Sequence, residues 1–279
     1  MVLTTETGLA QDSDSSMVRI EMADGNIFFG KILSETDTVL ILQTEAIGEI
    51  ELKKNKIKRR DYIDPTRIKN GDYWFENPHS TRYLFATNGL GLKKGEGYYQ
   101  NTWIFFNNLN FGITDNISLG GGIVPTFLFG VSATPIWVLP KVSIPLANNK
   151  LHAAVGGLFG GVIGGGVDSF GAGLAYGVLT YGNRDHNATV GIGFGYGGGE
   201  WGRIPIFTIS GMTRVKKKLY LISENYFFTS DGGGLGMISA ALRWSPENFA
   251  VDFGLIRPTE VGGEFIGAPW LGVSIPLGR

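Results

Sequence analysis

The chain of 279 residues lacks cysteine altogether, which excludes disulfide bonds, thiolate metal ligands and cysteine nucleophiles. Charged residues are scarce, at 18% of the sequence, where ordinary soluble domains have about 25%. The net charge is only -1, so a nucleic-acid partner is not expected. The 11 prolines follow no Gly-X-Y period, which excludes a collagen helix.

Long apolar runs are also missing from the start of the chain. Residues 1–16 contain no stretch that could form the core of a signal peptide. The junction Ala10-Gln11 is nevertheless similar to a cleavage site that precedes a polar mature sequence. We therefore expect a disordered N-terminal segment over residues 1–16, and the question of a removed leader stays open.

Glycine is the residue in excess, with 43 of the 279 positions, roughly twice its usual share of about 7%. Hydrophobic residues at 43% and aromatic residues at 12% exclude an intrinsically disordered chain. The glycines are concentrated after about residue 81, and the first part of the chain has ordinary charge density. This change in composition predicts two domains, 17–63 and 81–279, joined by a linker at 64–80.

Residues 17–63 have the pattern of about five short β-strands. Val18, Ile20 and Met22 alternate with polar residues, and Asp24-Gly25 is a strong hairpin signal. The pattern DGNIFFGKI, DTVLIL and GEIELKKNKIK resembles the small SH3/Sm-like β-barrel modules that are fused to envelope proteins. The resemblance implies a module of an envelope protein, and residues 17–63 are the candidate site for an envelope protein partner.

Three motifs that suggest ligand binding have simpler explanations. The segment Gly25–Lys31 has P-loop spacing, but Ile32 follows where magnesium binding needs a hydroxyl. The basic run Lys53–Arg60 follows several glutamates, which favours a solvated strand face over a phosphate-binding patch. Gly193–Gly198 matches G-x-G-x-x-G inside an alternating strand, with no helix after it. No cofactor is therefore expected.

Residues 81–279 consist of alternating segments separated by polar turns and glycine-rich loops. The connections that separate these segments predict about twelve strands. They fall at 93–97, 114–116, 130–133, 148–150, 164–166, 183–187, 197–199, 216–218, 231–234, 245–248 and 257–263.

Within these strands one parity is large and apolar, and the other is small or polar. The large set includes Val190, Ile192 and Phe194 in one strand, and Leu174, Tyr176 and Val178 in another. Period-two alternation over about ten residues is typical of a transmembrane β-barrel, in which the apolar face meets lipid. We therefore expect the bulky residues outside and the glycines inside.

An antiparallel barrel of even strand number returns both chain ends to one side of the membrane, so we expect the 17–63 module and the C-terminus in the periplasm. Two alternatives stay open. The uncharged stretch 116–140 is long enough for a membrane helix, but its prolines and consecutive glycines disfavour one. A water-soluble β-barrel or sandwich is the stronger alternative, because segments 134–146 and 203–214 are less clearly one-sided.

The segment YYQNTWIFFNNLNFGITDNISLGGG at 98–122 resembles the strand–turn–strand units of Gram-negative outer-membrane β-barrel proteins. The C-terminal PWLGVSIPLGR is similar to their closing strands, although those usually end on an aromatic residue and this chain ends on Arg279. The resemblance covers 81–279 and implies an outer-membrane location, with lipid around the barrel.

Strand parity predicts a set of ionisable side chains on the lumen face of the barrel. An arginine facing lipid at mid-membrane costs about 2 to 4 kcal/mol, whereas an arginine in the lumen has polar partners. The predicted lumen residues are Lys141, His152, Glu224, Arg243 and Asp252. They form either structural ion pairs between strands or a selectivity site for a solute.

Catalysis has little support, because no metal-ligand spacing and no G-x-S-x-G motif occurs. A lipid hydrolase would require a serine and a histidine from different strands, and Ser143 with His152 is the pairing to test. Three functions therefore stay open: a passive channel or small-molecule porter, a non-conducting barrel whose N-terminal module binds an envelope partner, and a membrane-embedded lipid hydrolase or soluble binding protein. We expect the first, and we do not expect an enzyme.

Overall fold

The computed structural model describes residues 17–69, 72–147, 150–166, 169–230, 233–260 and 265–278, so the expected disordered segment 1–16 lies outside the described residues. The chain divides into two compact units, Met1–Phe75 and Glu76–Arg279. Among the described residues, no helix is long and apolar enough to span a membrane.

The first unit contains an antiparallel sheet of five strands, as the alternation predicts, in the order β4-β3-β2-β1-β5. Its core consists of Val18, Ile20, Leu40 and Leu42, which alternate along β1 and β3. The pairings that the structure describes do not join β4 to β5, so closure into an SH3-like barrel is not observed. The strands are β1 (Met17–Met22), β2 (Ile27–Glu35), β3 (Val39–Thr44), β4 (Gly48–Lys53) and β5 (Ile57–Ile63), followed by the short pair β6 (Ile68–Lys69) and β7 (Asp72–Tyr73).

The second unit is a closed antiparallel barrel of twelve strands, which confirms the fold predicted from the alternation. Closure is made by the pairing of β19 with β8, which runs from Gly272↔Thr102 to Leu277↔Gly97. The strands are β8 (Gly97–Thr102), β9 (Phe106–Gly112), β10 (Ile117–Ile123), β11 (Thr134–Ala147), β12 (Leu151–Ile163), β13 (Ser169–Gly182), β14 (His186–Gly197), β15 (Glu200–Lys216), β16 (Leu219–Ser230), β17 (Gly233–Trp244), β18 (Ala250–Pro258) and β19 (Ala268–Leu277).

The strand number agrees with the prediction, but two strands differ from the predicted set. Residues 81–92 form no barrel strand, whereas the stretch predicted as one strand after Tyr98 contains both β8 and β9. The turn between them has positive φ at Trp103 (50°) and Ile104 (68°), a conformation that bulky residues rarely adopt. Glycine or asparagine usually occupies such positions, and because neither does so here, the sequence gives no signal for this turn.

The outer surface of the barrel is apolar on most strands, as expected. Outward residues such as Val190 (54% exposed) and Phe253 (61% exposed) alternate with buried polar ones such as Thr189 and Asp252. An unpaired sheet edge is excluded by closure, so the backbone requirement of a hydrocarbon environment is met.

Strand β13 reverses the predicted orientation. Leu174, Tyr176 and Val178 line an internal cavity, and Thr180 of the same parity is buried. Alternation distinguishes two faces but does not say which one points inward. The part of the lumen beside β13 is itself apolar, so the hydrophobicity of this strand predicted the wrong face as the inner one.

The two rims of the barrel differ. The first residue of β8 and the last residue of β19 lie at the same rim. Gly97 and Leu277 pair beside the connections β9–β10, β11–β12, β13–β14, β15–β16 and β17–β18. We call this the turn end and the opposite one the loop end. Strands β8, β9 and β10 have only six or seven residues, whereas β11 to β16 have 12 to 17, so the wall is lower on one side.

Candidate functional site

Residues 76–92, which we call the lumen segment, enter the barrel at the turn end and fold back inside it. Asn77 donates to the carbonyl oxygen of Arg184 at 3.0 Å, beside the β13–β14 connection. Residues 81–88 then form a short hairpin, closed by Tyr83 N–H to the Ala86 carbonyl at 2.8 Å and by the bridge between Arg82 and Thr87. Its polar residues are almost completely buried, which requires partners on the barrel wall.

Glu224 on β16 binds the tip of this hairpin. One carboxylate oxygen accepts the backbone N–H groups of Leu84, Phe85 and Ala86 at 2.8, 2.9 and 2.9 Å. The other oxygen accepts the hydroxyl of Tyr226 at 2.7 Å. Hydrogen bonds to an ionised acceptor are about twice as strong as neutral ones. The carboxylate therefore anchors the part of the hairpin that reaches furthest into the lumen.

Arg243 and Asp252 are directly paired across β17 and β18 near the turn end. The guanidinium binds both oxygens of the carboxylate, with Nε at 2.6 Å and Nη2 at 2.9 Å. It also donates to the carbonyl oxygens of His79, at 3.0 Å, and Tyr83. Arg82 approaches the same carboxylate at 3.4 Å. The pair thus satisfies the carbonyl groups of the lumen segment, as Glu224 satisfies its N–H groups.

The return arm of the lumen segment is held on the opposite wall. Lys141 on β11 donates to the carbonyl oxygen of Leu90 at 2.6 Å. The hydroxyl of Thr180 on β13 accepts the N–H of Gly89 at 2.7 Å. Both arms and the tip of the hairpin are therefore bound to different strands, which ties the segment across the lumen.

His152 and Ser143 do not form a catalytic pair in this structure. His152 pairs with Pro145 in the β11–β12 ladder, and Ser143 pairs with Ala154. The Ser143 hydroxyl is buried and has no hydrogen-bond partner among the described residues, so no base activates it. The described residues also contain no group of three or more His, Asp or Glu side chains placed to hold a metal ion.

The ladder between β16 and β17 is interrupted beside Glu224. Backbone pairs are present at Ile222↔Ala241 and Tyr226↔Met237 but not between them. Side chains replace the missing bonds: Ser239 exchanges hydrogen bonds with the backbone of Glu224 at 2.9 and 2.6 Å, and Asn225 accepts the Ser239 N–H at 3.1 Å. This arrangement fixes the backbone that carries the carboxylate.

A cavity of about 310 Å³ lies between the tip of the hairpin and the loop end, and we call it the chamber. Phe85, Ala86 and Thr87 of the hairpin form its floor. Its wall is mostly apolar and includes Leu139, Leu158, Leu174, Val178, Ile206, Phe228 and Met237. The lumen therefore holds the lumen segment and its contacts towards the turn end, and an apolar chamber beyond the tip of the hairpin.

Several residues of the site were absent from the sequence-based predictions. Arg82 and Tyr83 were assigned to the first barrel strand, although Tyr83 is bonded to Asn187 at 2.7 Å and Thr189 at 2.6 Å on β14. A usable signal existed, because segment 76–92 breaks the period-two alternation of the strands that follow it. The contacts themselves join residues more than 100 positions apart and have no local signature.

A cysteine pair tests whether the lumen segment occupies this position in the membrane. A Cβ atom added at Gly91 would lie 3.2 Å from Cβ of Ser143, close to the usual disulfide value of about 3.8 Å. We expect G91C/S143C to oxidise spontaneously, visible as a reductant-sensitive mobility shift on electrophoresis. The chain has no other cysteine to interfere.

The matched control is G91C/V142C, because Val142 neighbours Ser143 on β11 but faces outward. Equal oxidation of the two pairs, or oxidation of neither, would contradict the placement of the lumen segment.

Comparison with known proteins finds matches among solved structures alone. No family model matches the chain, and no curated protein matches it. Among solved structures, it is similar to the KdgM porin, with TM-score 0.47 and 8% identity over 66% of this chain and 99% of that chain. It is also similar to OccAB4 of Acinetobacter baumannii, with TM-score 0.36 and 10% identity over 92% of this chain and 67% of that chain. The outer-membrane channel DcaP of the same organism has TM-score 0.31 and 9% identity over 94% of each chain.

Proposed function

We propose that this protein is an outer-membrane β-barrel that acts as a channel or small-molecule porter, and that the lumen segment closes it in the conformation described here. The observation that carries the proposal is that the lumen is filled by a separate chain segment, bound through side chains, and not by the wall itself. A barrel of twelve strands is wider than the eight-stranded barrels whose own side chains fill the interior.

The contacts of the segment support a reversible closure. Glu224, Arg243 and Lys141 bind backbone N–H and carbonyl groups of the lumen segment, which water can bind equally well when the segment leaves. The hairpin also packs Tyr83 and Leu84 into an apolar cluster with wall residues that include Trp270, so its release has to offset the loss of this apolar contact. We therefore propose that the gate is held by Lys141, Glu224, Arg243 and Asp252. We also propose that His152 faces the same lumen.

The orientation follows from the same arrangement. Both ends of the barrel chain lie at the turn end, and outer-membrane barrels have their short turns in the periplasm. We propose that the turn end, the first unit and the C-terminus are periplasmic. The lumen segment would then enter from the periplasmic side.

The first unit is proposed to be an SH3-like module that binds an envelope partner. Its strand order, with β1 between β2 and β5, supports this assignment. A cleft of about 350 Å³ beside exposed Ile27 and Ile47 supports a binding role.

Glu35 on β2 is a separate, charged feature of the first unit. Hydrogen bonds from Lys54 and Arg60 lower the pKa of its carboxyl group, which is therefore charged at neutral pH.

Substitution of the carboxylate that holds the hairpin tip tests the channel proposal. Glu224→Gln keeps the shape but removes the charge, so the N–H groups of Leu84–Ala86 are left with a neutral amide oxygen as their acceptor. We expect the open probability in planar bilayers to rise by about tenfold or more, because hydrogen bonds to an ionised acceptor are about twice as strong as neutral ones.

Glu200→Gln is the matched control, since Glu200 is exposed at the loop end and the same change there removes no contact with the lumen segment. If neither variant has a higher open probability than the original chain, the channel proposal fails.

A non-conducting anchor for the first unit is the second candidate function. It is favoured by the completeness of the buried network, in which Arg243 alone binds one carboxylate and two carbonyl groups. If Glu224→Gln folds into the barrel but carries no ionic current in planar bilayers, that result would support this alternative.

A further inference from the structure

The chamber combines an apolar wall with one localised cationic corner. Leu158, Leu174, Val178, Ile206 and Phe228 come from four different strands and present hydrocarbon to the same space. The corner is formed on the lower side of the wall, where Lys141 and Ser118 pair directly across β11 and β10 and both line the chamber.

Lys141 is more than nine-tenths buried, yet it forms no ion pair with a carboxylate among the described residues. The hydrogen bond that its ammonium donates goes to the Leu90 carbonyl, which leaves its positive charge uncompensated. A buried charge without a counter-ion is costly, and the same site would become favourable if an anion entered the chamber. Glu224 is not that counter-ion, because its oxygens are taken by the hairpin amides and Tyr226.

We propose that the chamber binds a single-chain amphiphile with one carboxylate head group, of the medium-chain fatty acid class. The carboxylate accepts hydrogen bonds from Lys141 and Ser118, and the alkyl chain lies against Leu158, Leu174 and Phe228. The volume of about 310 Å³ falls at the small end of ligand pockets, which span about 300 to 1,000 Å³. This inference rests on the proposed function and names the substrate class of that same lumen.

Hydrophilic solutes do not fit this chamber. A sugar or a nucleotide would leave most of its hydroxyl groups against aliphatic side chains, where unpaired polar groups are costly. A neutral alkane would fill the apolar part but leave Lys141 without its counter-ion. The head group and the chain are therefore both required.

The test uses the full chain in lipid nanodiscs and a ten-carbon carboxylic acid that carries a terminal diazirine. After illumination, peptide mapping should place the crosslinks on chamber residues such as Leu158 and Leu174, and tenfold excess decanoate should abolish them. Outward residues on the same strands, such as Val155 and Leu179, report membrane-dissolved probe, because both are exposed on the lipid face. Crosslinks confined to those outward residues would overturn the proposal.

Affinity measurements separate the head group from the chain. Lys141→Met should weaken decanoate binding by about tenfold or more, the size of one charge-assisted hydrogen bond, and should leave 1-decanol unaffected. Leu174→Trp fills the chamber and should weaken both ligands, whereas the exposed control Lys150→Met should change neither. Equal losses for acid and alcohol in Lys141→Met would also overturn the proposal.

The result is independent of the channel experiment. If Glu224→Gln conducts ions but the probe never labels the chamber, the channel proposal stands and the ligand class is wrong. If the chamber is labelled but no variant conducts, the amphiphile site stands and the protein binds its ligand without transporting it.

Discussion

Replacement of the hairpin 81–88 by a glycine-serine linker of equal length is expected to open the barrel. The linker lacks Arg82 and Tyr83, which bind Asp252, Asn187 and Thr189 on the wall. It is also too flexible to present three amides to Glu224. Without these contacts the segment leaves the lumen, and the ionic current in planar bilayers should rise by about tenfold or more, since a barrel wider than eight strands is not filled by its own side chains.

A heat-modifiable band on electrophoresis, retained by the variant, shows that the barrel itself still folds. The matched control places a glycine-serine linker of equal length over Thr126–Phe129, a short 3-10 turn at the loop end with no buried residue. Its current should equal that of the original chain. A folded hairpin variant with no current would mean that wall residues such as Trp137 and Trp270 block the lumen, and the lumen segment would then have no role as a gate.

Arg243→Met is expected to be the most destabilising single substitution in the barrel. Its guanidinium is completely buried, binds Asp252 through two nitrogens and donates to the carbonyls of His79 and Tyr83. Removal of one partner from a buried pair costs about 3 to 5 kcal/mol, because the remaining charge is left without compensation. We expect a corresponding loss in the free energy of unfolding, measured by urea titration in lipid vesicles.

The control Arg203→Met removes an exposed arginine on β15 and should change stability by less than about 0.5 kcal/mol. A double-mutant cycle that combines Arg243→Met with the hairpin replacement shows whether the lost free energy of unfolding comes from contacts within the wall or from contacts with the lumen segment. In the open barrel, water reaches Asp252 and the carbonyl groups are gone, so Arg243→Met should cost much less. An equal cost in both backgrounds would show that Arg243 stabilises the wall alone and does not hold the lumen segment.

The barrel is predictable from the sequence because its signals are local. Ten of the eleven connections between strands coincide with turn or loop residues that the sequence marks, and Asn183 and Gly198 are examples. The tight turn at Trp103 and Ile104 was missed because its backbone conformation is imposed by the pairing of β8 with β9, against the preference of both residues. The prediction counted one strand too many before the loop at 93–97 and one too few after it. The total of twelve strands was therefore correct, although one strand was wrongly placed.

The sequence by itself determined a closed antiparallel barrel and the strand positions of Lys141, Glu224, Arg243 and Asp252, because period-two alternation assigns each residue to one of two faces. Only the tertiary structure decided which face of β13 is inside and what those ionisable groups bind. In the lumen segment, the partners of Lys141, Glu224 and Arg243 are backbone amides and carbonyls within residues 79–90. The backbone carries these groups whatever its side chains are, so the sequence contains no local signal for the contacts.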